Sequence, residues 1–321
     1  MSAVLFTCAG QRVDIVTAFG RAGAETIAAD VNPLAPALYA ADRHFLAPRI
    51  DDPDYVHALA AAVAEHDVEL IVPLTDLDMT ILAEHRHAFG ALVLLPDAEV
   101  AERTNDKYAT HLFLEERGIG SPAAWLAGEL PSDLPYPVLV KAQRGFGSRN
   151  IFRAEDRKDL EFFLARTPAE SFVQEVCAGE EFSMDVFCDL EARCLNSIPR
   201  TMIESKGGES IKGMTIADDE LIALGRDVAE ALRVVGPATV QCFRSEPGNC
   251  KVTDVNLRFG GAFPLPLAAG SDYPALALAL ARGERPEPRV GEFREGVVMT
   301  RFFSETSLVR GGDGSLTRLS H

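Results

Sequence analysis

Short apolar runs alternating with amphipathic stretches through the first hundred residues leave this chain few folds to choose from. Val4 to Cys8, Thr26 to Ala29, Val68 to Leu74 and Ala91 to Leu95 are strand-length apolar segments, while Val13 to Arg21 and Tyr55 to Glu65 between them carry helical periodicity. Strand and helix in alternation predict a parallel, doubly wound sheet covered by helices. The pattern changes near residue 100. Thr104 to Lys107 reads as a helix start, and His111 to Gly118 carries that helix to a glycine stop. Pro122, Pro131, Pro135 and Pro137 then punctuate a linker, after which strands recur in pairs: Val138 to Ala142 with Asn150 to Arg153, and Phe182 to Cys188 with Arg193 to Ile198. These pairs read as antiparallel hairpins, so the second part is α+β. Gly311 to His321, rich in Gly and Ser, is expected to be a frayed tail.

Charge and cysteine usage narrow the function. With 31 Lys and Arg against 48 Asp and Glu the formal charge is −17, which repels nucleic-acid backbones and anionic membrane surfaces. No apolar run approaches the roughly 20 residues of a membrane helix, and the opening segment reads as a buried strand rather than a secretory leader. Six cysteines without a C-x-x-C pair fit buried, reduced thiols and a cytoplasmic setting. The histidines offer no H-x-x-x-H spacing, so any metal must use oxygen ligands. A dinucleotide site is a poor fit, because the first strand-helix junction, Cys8-Ala9-Gly10-Gln11-Arg12, lacks G-x-G-x-x-G. Asp30, where a ribose-binding acid would stand, reads equally well as a turn residue.

Three later segments carry chemistry. In Val138-Leu139-Val140-Lys141-Ala142-Gln143-Arg144-Gly145-Phe146-Gly147-Ser148, a strand delivers Lys141 just before a glycine-rich loop whose N–H groups can face phosphate oxygens; an ordinary hairpin turn is the plainer reading. In Phe172 to Val186, a strand leaves through Glu175-Val176-Cys177-Ala178-Gly179 and returns with Glu181 beside the bend, which suits either an adenine-reading hinge or a hairpin with an acidic rim. In Lys251 to Gly261, Asp254 and Asn256 lie two apart on one strand face with Arg258 behind them, and Gln241 on the preceding strand offers a third oxygen. Hard oxygens in this number suit magnesium completed by phosphates and water. Pro73-Leu74-Thr75-Asp76-Leu77-Asp78 either lines an acceptor side or caps a helix through Thr75 or Asp76.

Taken in order, Lys107, Lys141 with its loop, Gln174-Glu175-x-x-x-Gly179-x-Glu181 and Asp254-x-Asn256-x-Arg258 resemble the ATP-grasp superfamily. More narrowly they resemble short proteins related to the carbamoyl phosphate synthetase large subunit and to the ligase of pyrrolysine biosynthesis. The family usually has glutamate where Asp254 stands and glycine where Asn150 stands. The resemblance implies a Rossmann-like domain over 1–103, a linker helix and small lid over 104–184, a C-terminal antiparallel-sheet domain over 185–310 and a tail over 311–321. It implies that Lys107 and Lys141 contact ATP phosphates under a loop of Gly145, Phe146, Gly147 and Ser148. Glu175, Val176 and Cys177 would meet adenine, Glu181 ribose, and Gln241, Asp254 and Asn256 magnesium, with manganese as a substitute. Arg258, Lys141 and Arg200 would act on the transferred phosphoryl group, and Arg200 and Lys206 are candidates for phosphate or substrate-carboxylate contacts or, equally, rim charges.

The reaction so implied is ATP-dependent joining of a small carboxylate to an amine through an acyl phosphate, in a chain whose relatives often form homodimers. Two alternatives stay open: phosphorylation of a carboxylate or carbamate without amine capture, and a silent ATP-binding protein.

Overall fold

A computed structural model describes residues 2–145, 151–168, 170–206 and 209–319. Strands β1 (Ala3–Thr7), β2 (Glu25–Asp30), β3 (Arg43–Leu46), β4 (Val68–Pro73) and β5 (Leu92–Val93) form a parallel sheet in the order β3-β2-β1-β4-β5. Helices α1 (Val13–Arg21), α2 (Tyr55–Glu65) and α3 (Met79–Glu84) supply three of the four connections that parallel pairing demands, and a 3-10 turn at Pro36–Tyr39 lies in the fourth, between β2 and β3. β1 is buried along its whole length, as a central strand with four apolar residues before Thr7 is expected to be. The expected fifth strand is shorter than Ala91 to Leu95, with only Leu92 and Val93 paired.

The chain order reverses between β1 and β4, so the loops leaving those two strands open a crevice at the carboxyl edge of the sheet. Thr7 to Arg12 and Leu74 to Asp78 occupy those loops.

A linker of two helices follows. The first, α4 (Ala98–Asn105), carries no apolar stripe strong enough to be legible beforehand; the second, α5 (Lys107–Glu116), begins where Asp106 accepts hydrogen bonds from the N–H groups of Tyr108 and Ala109. A cation in the first turn opposes the helix dipole, so Lys107 stands there against local preference. The small sheet β6-β9-β7-β8 comes next, from β6 (Ala124–Leu126), β7 (Val138–Ala142), β8 (Ile151–Ala154) and β9 (Ser171–Glu175), covered by α6 (Arg157–Leu164). Its core, centred on Val138, Val140, Ala154, Leu160 and Val173, is separate from the two larger cores that join the rest of the molecule.

The large antiparallel sheet runs β14-β13-β10-β11-β12-β15. Its strands are β10 (Glu180–Cys188), β11 (Cys194–Lys206), β12 (Glu209–Thr215), β13 (Gly236–Glu246), β14 (Asn249–Asn256) and β15 (Val298–Thr300), with α7 (Asp219–Leu232) packed on one face. The boundary expected at 184/185 falls inside β10; the break between the sheets lies at Gly179, whose φ of +100° and contact with the Arg244 carbonyl leave no room for a Cβ. The expected frayed tail is instead the turn and second strand of a hairpin, β16 (Leu308–Arg310) with β17 (Leu316–Arg318), held because Leu308 and Leu316 pack on the core and Arg318 donates to the Tyr39 carbonyl. No helix among the described residues is long and apolar enough to cross a membrane.

Arg12 ties the parallel-sheet domain to the large sheet by donating to the carbonyls of Phe259 at 3.0 Å and Gly260 at 2.9 Å. That contact closes the crevice at the switch point against the segment after β14. All six cysteines are free thiols.

Candidate active site

Where the three parts meet lies a cavity of about 350 Å³, lined by the β1 and β4 loops, α5, β7 and the large sheet. Lys107, Lys141, Gln241, Asp254, Asn256 and Arg258 all line it. Four come from the large sheet and its following turn, one from the linker helix and one from the lid, so residues scattered over 150 positions converge as the motif order implies. Gly145 also borders the cavity, whereas Phe146, Gly147 and Ser148 lie outside the described residues.

The charges are arranged as opposed pairs. Lys107 Nζ donates to Asp254 Oδ1 at 2.6 Å, and Asn256 Nδ2 donates to Asp254 Oδ2 at 3.2 Å. Burial would raise the Asp254 carboxyl, but the attraction and hydrogen bond of Lys107, helped by Lys141 and Asn256, outweigh it and hold the group below its ordinary range. Lys141 is almost fully buried on β7 and donates to Gln174 Oε1 at 2.6 Å. Desolvation pushes its ammonium down, Asp254 works against that, and Lys107 adds to it. A buried lysine with a neutral partner retains unspent positive potential, which is what an incoming polyanion meets.

Gln241 stands opposite Asp254 across the β13–β14 ladder, and its amide donates to Glu181 Oε1 at 3.4 Å. Glu181 itself is raised by burial, with Arg200 and Lys141 opposing and Asp254 reinforcing the rise. Asp254, Asn256 and Gln241 thus offer one carboxylate and two amide oxygens side by side. Among the described residues no group of three or more His, Cys, Asp or Glu side chains forms a ready-made metal site. The donor set is hard and of low charge, which fits an ion that arrives with phosphate oxygens of its own.

The hinge residues sit apart from this cavity. The Glu175 carboxylate is clamped by Lys251, at 2.7 Å from both oxygens, and accepts from Ala123 N–H at 3.1 Å, leaving the backbone around Val176 and Cys177 as what the bend can present. Arg200 borders the cavity from β11 yet is 3% exposed, its Nε donating to Asp185 Oδ2 at 2.8 Å. The Lys206 side chain lies outside the described set.

Sequence reading passed over several residues that matter here. Gln174 was part of a motif but not a lysine partner; a polar side chain 3% exposed in an apolar strand was its signal. Asp76, left between two readings, faces the cavity and accepts from Arg258 Nε at 3.0 Å, while helix α3 has no side-chain cap.

Comparisons with known proteins bear on the fold. A family model for the PylC-like N-terminal domain matches residues 4–94, and one described as ATP-grasp in the biosynthetic pathway with Ter operon matches residues 167–303. The chain has the ATP-grasp fold. Among solved structures, the chain is similar to the L-amino acid ligase of Bacillus licheniformis, with 19% identity and a TM-score of 0.72 over 92% of this chain and 78% of that one. It is also similar to the biotin carboxylase domain of Hydrogenobacter thermophilus 2-oxoglutarate carboxylase, solved with ADP, magnesium and bicarbonate (17%, TM-score 0.70, 92% and 73%). Rhizobium etli pyruvate carboxylase superposes with a TM-score of 0.76 at 16% identity over 93% of this chain, which spans only 30% of that protein's length. Identities this low establish a shared fold. No curated protein matches the sequence.

Behind the β1 and β4 loops lies a buried polar cluster whose titration gives a test. Tyr55 Oη donates to Asp78 Oδ2 at 2.7 Å, and burial raises the Asp78 carboxyl above its ordinary value. Such an acid keeps its proton in the folded state after the unfolded chain has lost it near pH 4, so its contribution makes folding less favourable as pH rises above about 4. Asp78→Asn keeps the acceptor and removes the titration. Thermal melts should show the variant gaining on the parent between pH 4 and pH 7; an equal difference at both values would show that Asp78 does not hold a proton.

Proposed function

We propose that the chain is a magnesium- and ATP-dependent carboxylate–amine ligase that forms an amide or peptide bond through an acyl phosphate. The observation that carries the reading is the convergence of Lys107 and Lys141 with Asp254, Asn256 and Arg258 on one cavity. ATP would lie with its phosphates against Lys107 and Lys141, the hinge at Glu175 to Cys177 meeting the base and Glu181 the ribose. Asp254, Asn256 and Gln241 would hold magnesium, which when bound screens the phosphates and polarises the terminal one. Arg258, beside Asp76, faces the charge that develops during transfer.

The substrate carboxylate attacks the γ-phosphorus, the bond to ADP breaks, and the amine then displaces inorganic phosphate from the acyl carbon. Phosphoryl transfer of this kind asks the protein for position and fixed charge more than for a nucleophile. The Hydrogenobacter domain, solved with MgADP and bicarbonate, supports nucleotide, magnesium and a small acid in this fold. The Bacillus enzyme, named an L-amino acid ligase, supports amine capture.

The test is interception of the acyl phosphate. A panel of carboxylic acids with ATP, magnesium and hydroxylamine should yield a hydroxamate with at least one acid, and an added amine should compete with its formation. Hydroxamate unaffected by every amine would favour the carboxylate-kinase reading, and ATP binding without ADP release across the panel would favour a silent binder.

A further inference from the structure

We propose that Asp76, in the loop after β4, is a positioning residue for phosphoryl transfer and acts by orienting the guanidinium of Arg258. The inference rests on the ligase reading and adds the residue through which the parallel-sheet domain takes part in the chemistry. The backbone that carries Arg258 is held from both sides. Phe259 is 2% exposed and packs edge-on against Phe19 and Phe263, with ring centroids 6.0 and 4.8 Å away. Its carbonyl and that of Gly260 accept from Arg12. A Cβ on Gly260 would meet Thr239 Oγ1 at 2.4 Å, so the turn lies hard against the large sheet. The freedom that remains belongs to the Arg258 side chain, which is long and has much rotamer entropy to lose.

Two side chains take up that freedom. Arg258 Nε donates to Asp76 Oδ2 at 3.0 Å, and Nη2 donates to Asn256 Oδ1 at 3.3 Å. Nη1 reaches the Phe259 carbonyl at 3.4 Å, an oxygen that also accepts from Arg12. Of these three acceptors Asp76 alone is charged, and its contact is the shortest. A guanidinium has five N–H donors, so these bonds leave two for a ligand. Asp76 and Arg258 both line the cavity, their side chains 16% and 20% exposed. The contacts continue beyond the pair: Asn256 Nδ2 donates to Asp254 Oδ2, and Asp254 Oδ1 accepts from Lys107. A continuous run of hydrogen bonds thus crosses from Asp76 on the parallel-sheet domain to Lys107 on the linker helix. A donor aimed in advance at charge that develops during transfer lowers the barrier more than it tightens ground-state binding. Loss of the aim should therefore appear in kcat.

The experiment uses the full chain with ATP, magnesium, hydroxylamine and an acid that forms hydroxamate, and places Asp76→Asn in two backgrounds, the parent and Arg258→Ala. In the parent the substitution is expected to lower kcat for ADP release by about 10- to 100-fold, the scale of a misplaced reacting group, while KM for ATP changes by less than about twofold. In the Arg258→Ala background it should lower kcat no further, because the side chain it orients is gone. Asp76→Glu keeps the charge and should recover part of the loss, and the same two-background comparison is made with it if Asp76→Asn does not fold. An equal loss in both backgrounds would overturn the proposal and place Asp76 on the substrate instead. A parental kcat in a folded Asp76→Asn would overturn it by reducing the pair to a tie between domains. In either case hydroxamate formed by the parent leaves the ligase reading standing. Absence of hydroxamate with every acid would remove the ligase reading and this inference with it.

Discussion

Lys141→Ala is expected to reduce ATP-dependent ADP release by about 100- to 1,000-fold, the usual cost of removing one preorganised charge contact to a developing anion. The side chain is buried at the lid edge of the cavity, and its hydrogen-bond partner among the described residues is the neutral Gln174 oxygen, so no carboxylate is bonded to it in place of a phosphate. Stability should change little by comparison. Truncation leaves Gln174 Oε1 unpaired in a buried place, but it also removes the desolvation of an ammonium, and the two effects oppose each other. Lys141→Met, which keeps most of the volume, should show the same loss of turnover with a thermal midpoint close to the parent's. Near-normal ADP release by a folded Lys141→Ala would remove the lysine from the phosphate site.

Asp254→Asn is expected to separate binding from turnover. The carboxylate is the sole charged member of the proposed magnesium set and also the partner of Lys107 at 2.6 Å. Losing it should lower turnover by about 1,000-fold or more, since metal stabilisation of transferred phosphate amounts to several kcal/mol and about 4 kcal/mol corresponds to that factor. Nucleotide binding without magnesium should hold or tighten, because the anion that competes with phosphate for Lys107 is gone. Calorimetric titration with ATP in the presence and absence of magnesium reads both effects. Weaker metal-free binding in the variant would mean that Asp254 supports the nucleotide in some other way.

The parallel sheet was legible because burial on both faces forces β1, β2 and β4 into apolar runs that few other environments require. The linker was less so. α4 is polar for most of its length, and α5 declared itself only through the Asp106 cap and the glycine stop at Gly118. The tail misled because its glycines and serines describe a turn as well as they describe fraying, and only Leu308 and Leu316, meeting a core built from distant residues, decide between the two.

At the site, motif order in one dimension anticipated the meeting of Lys107, Lys141 and Asp254, since each sits at a strand or helix position that its own segment reveals. What stayed hidden were partnerships across elements. The Glu175–Lys251 clamp and the Arg258–Asp76 pair depend on which elements become neighbours, and no local pattern encodes that. Thr75 and Asp76 illustrate the difference. Capping and cavity lining demand the same residue types at the same positions, and the choice is made by Arg258, far away in sequence.

The most direct measurement of the account follows an oxygen atom. An acid substrate labelled with ¹⁸O in its carboxylate, incubated with the enzyme, ATP, magnesium and an amine, is expected to pass one labelled oxygen to the inorganic phosphate released. Unlabelled phosphate formed alongside amide product would mean that no acyl phosphate lies on the path, and the assignment of the cavity would fail.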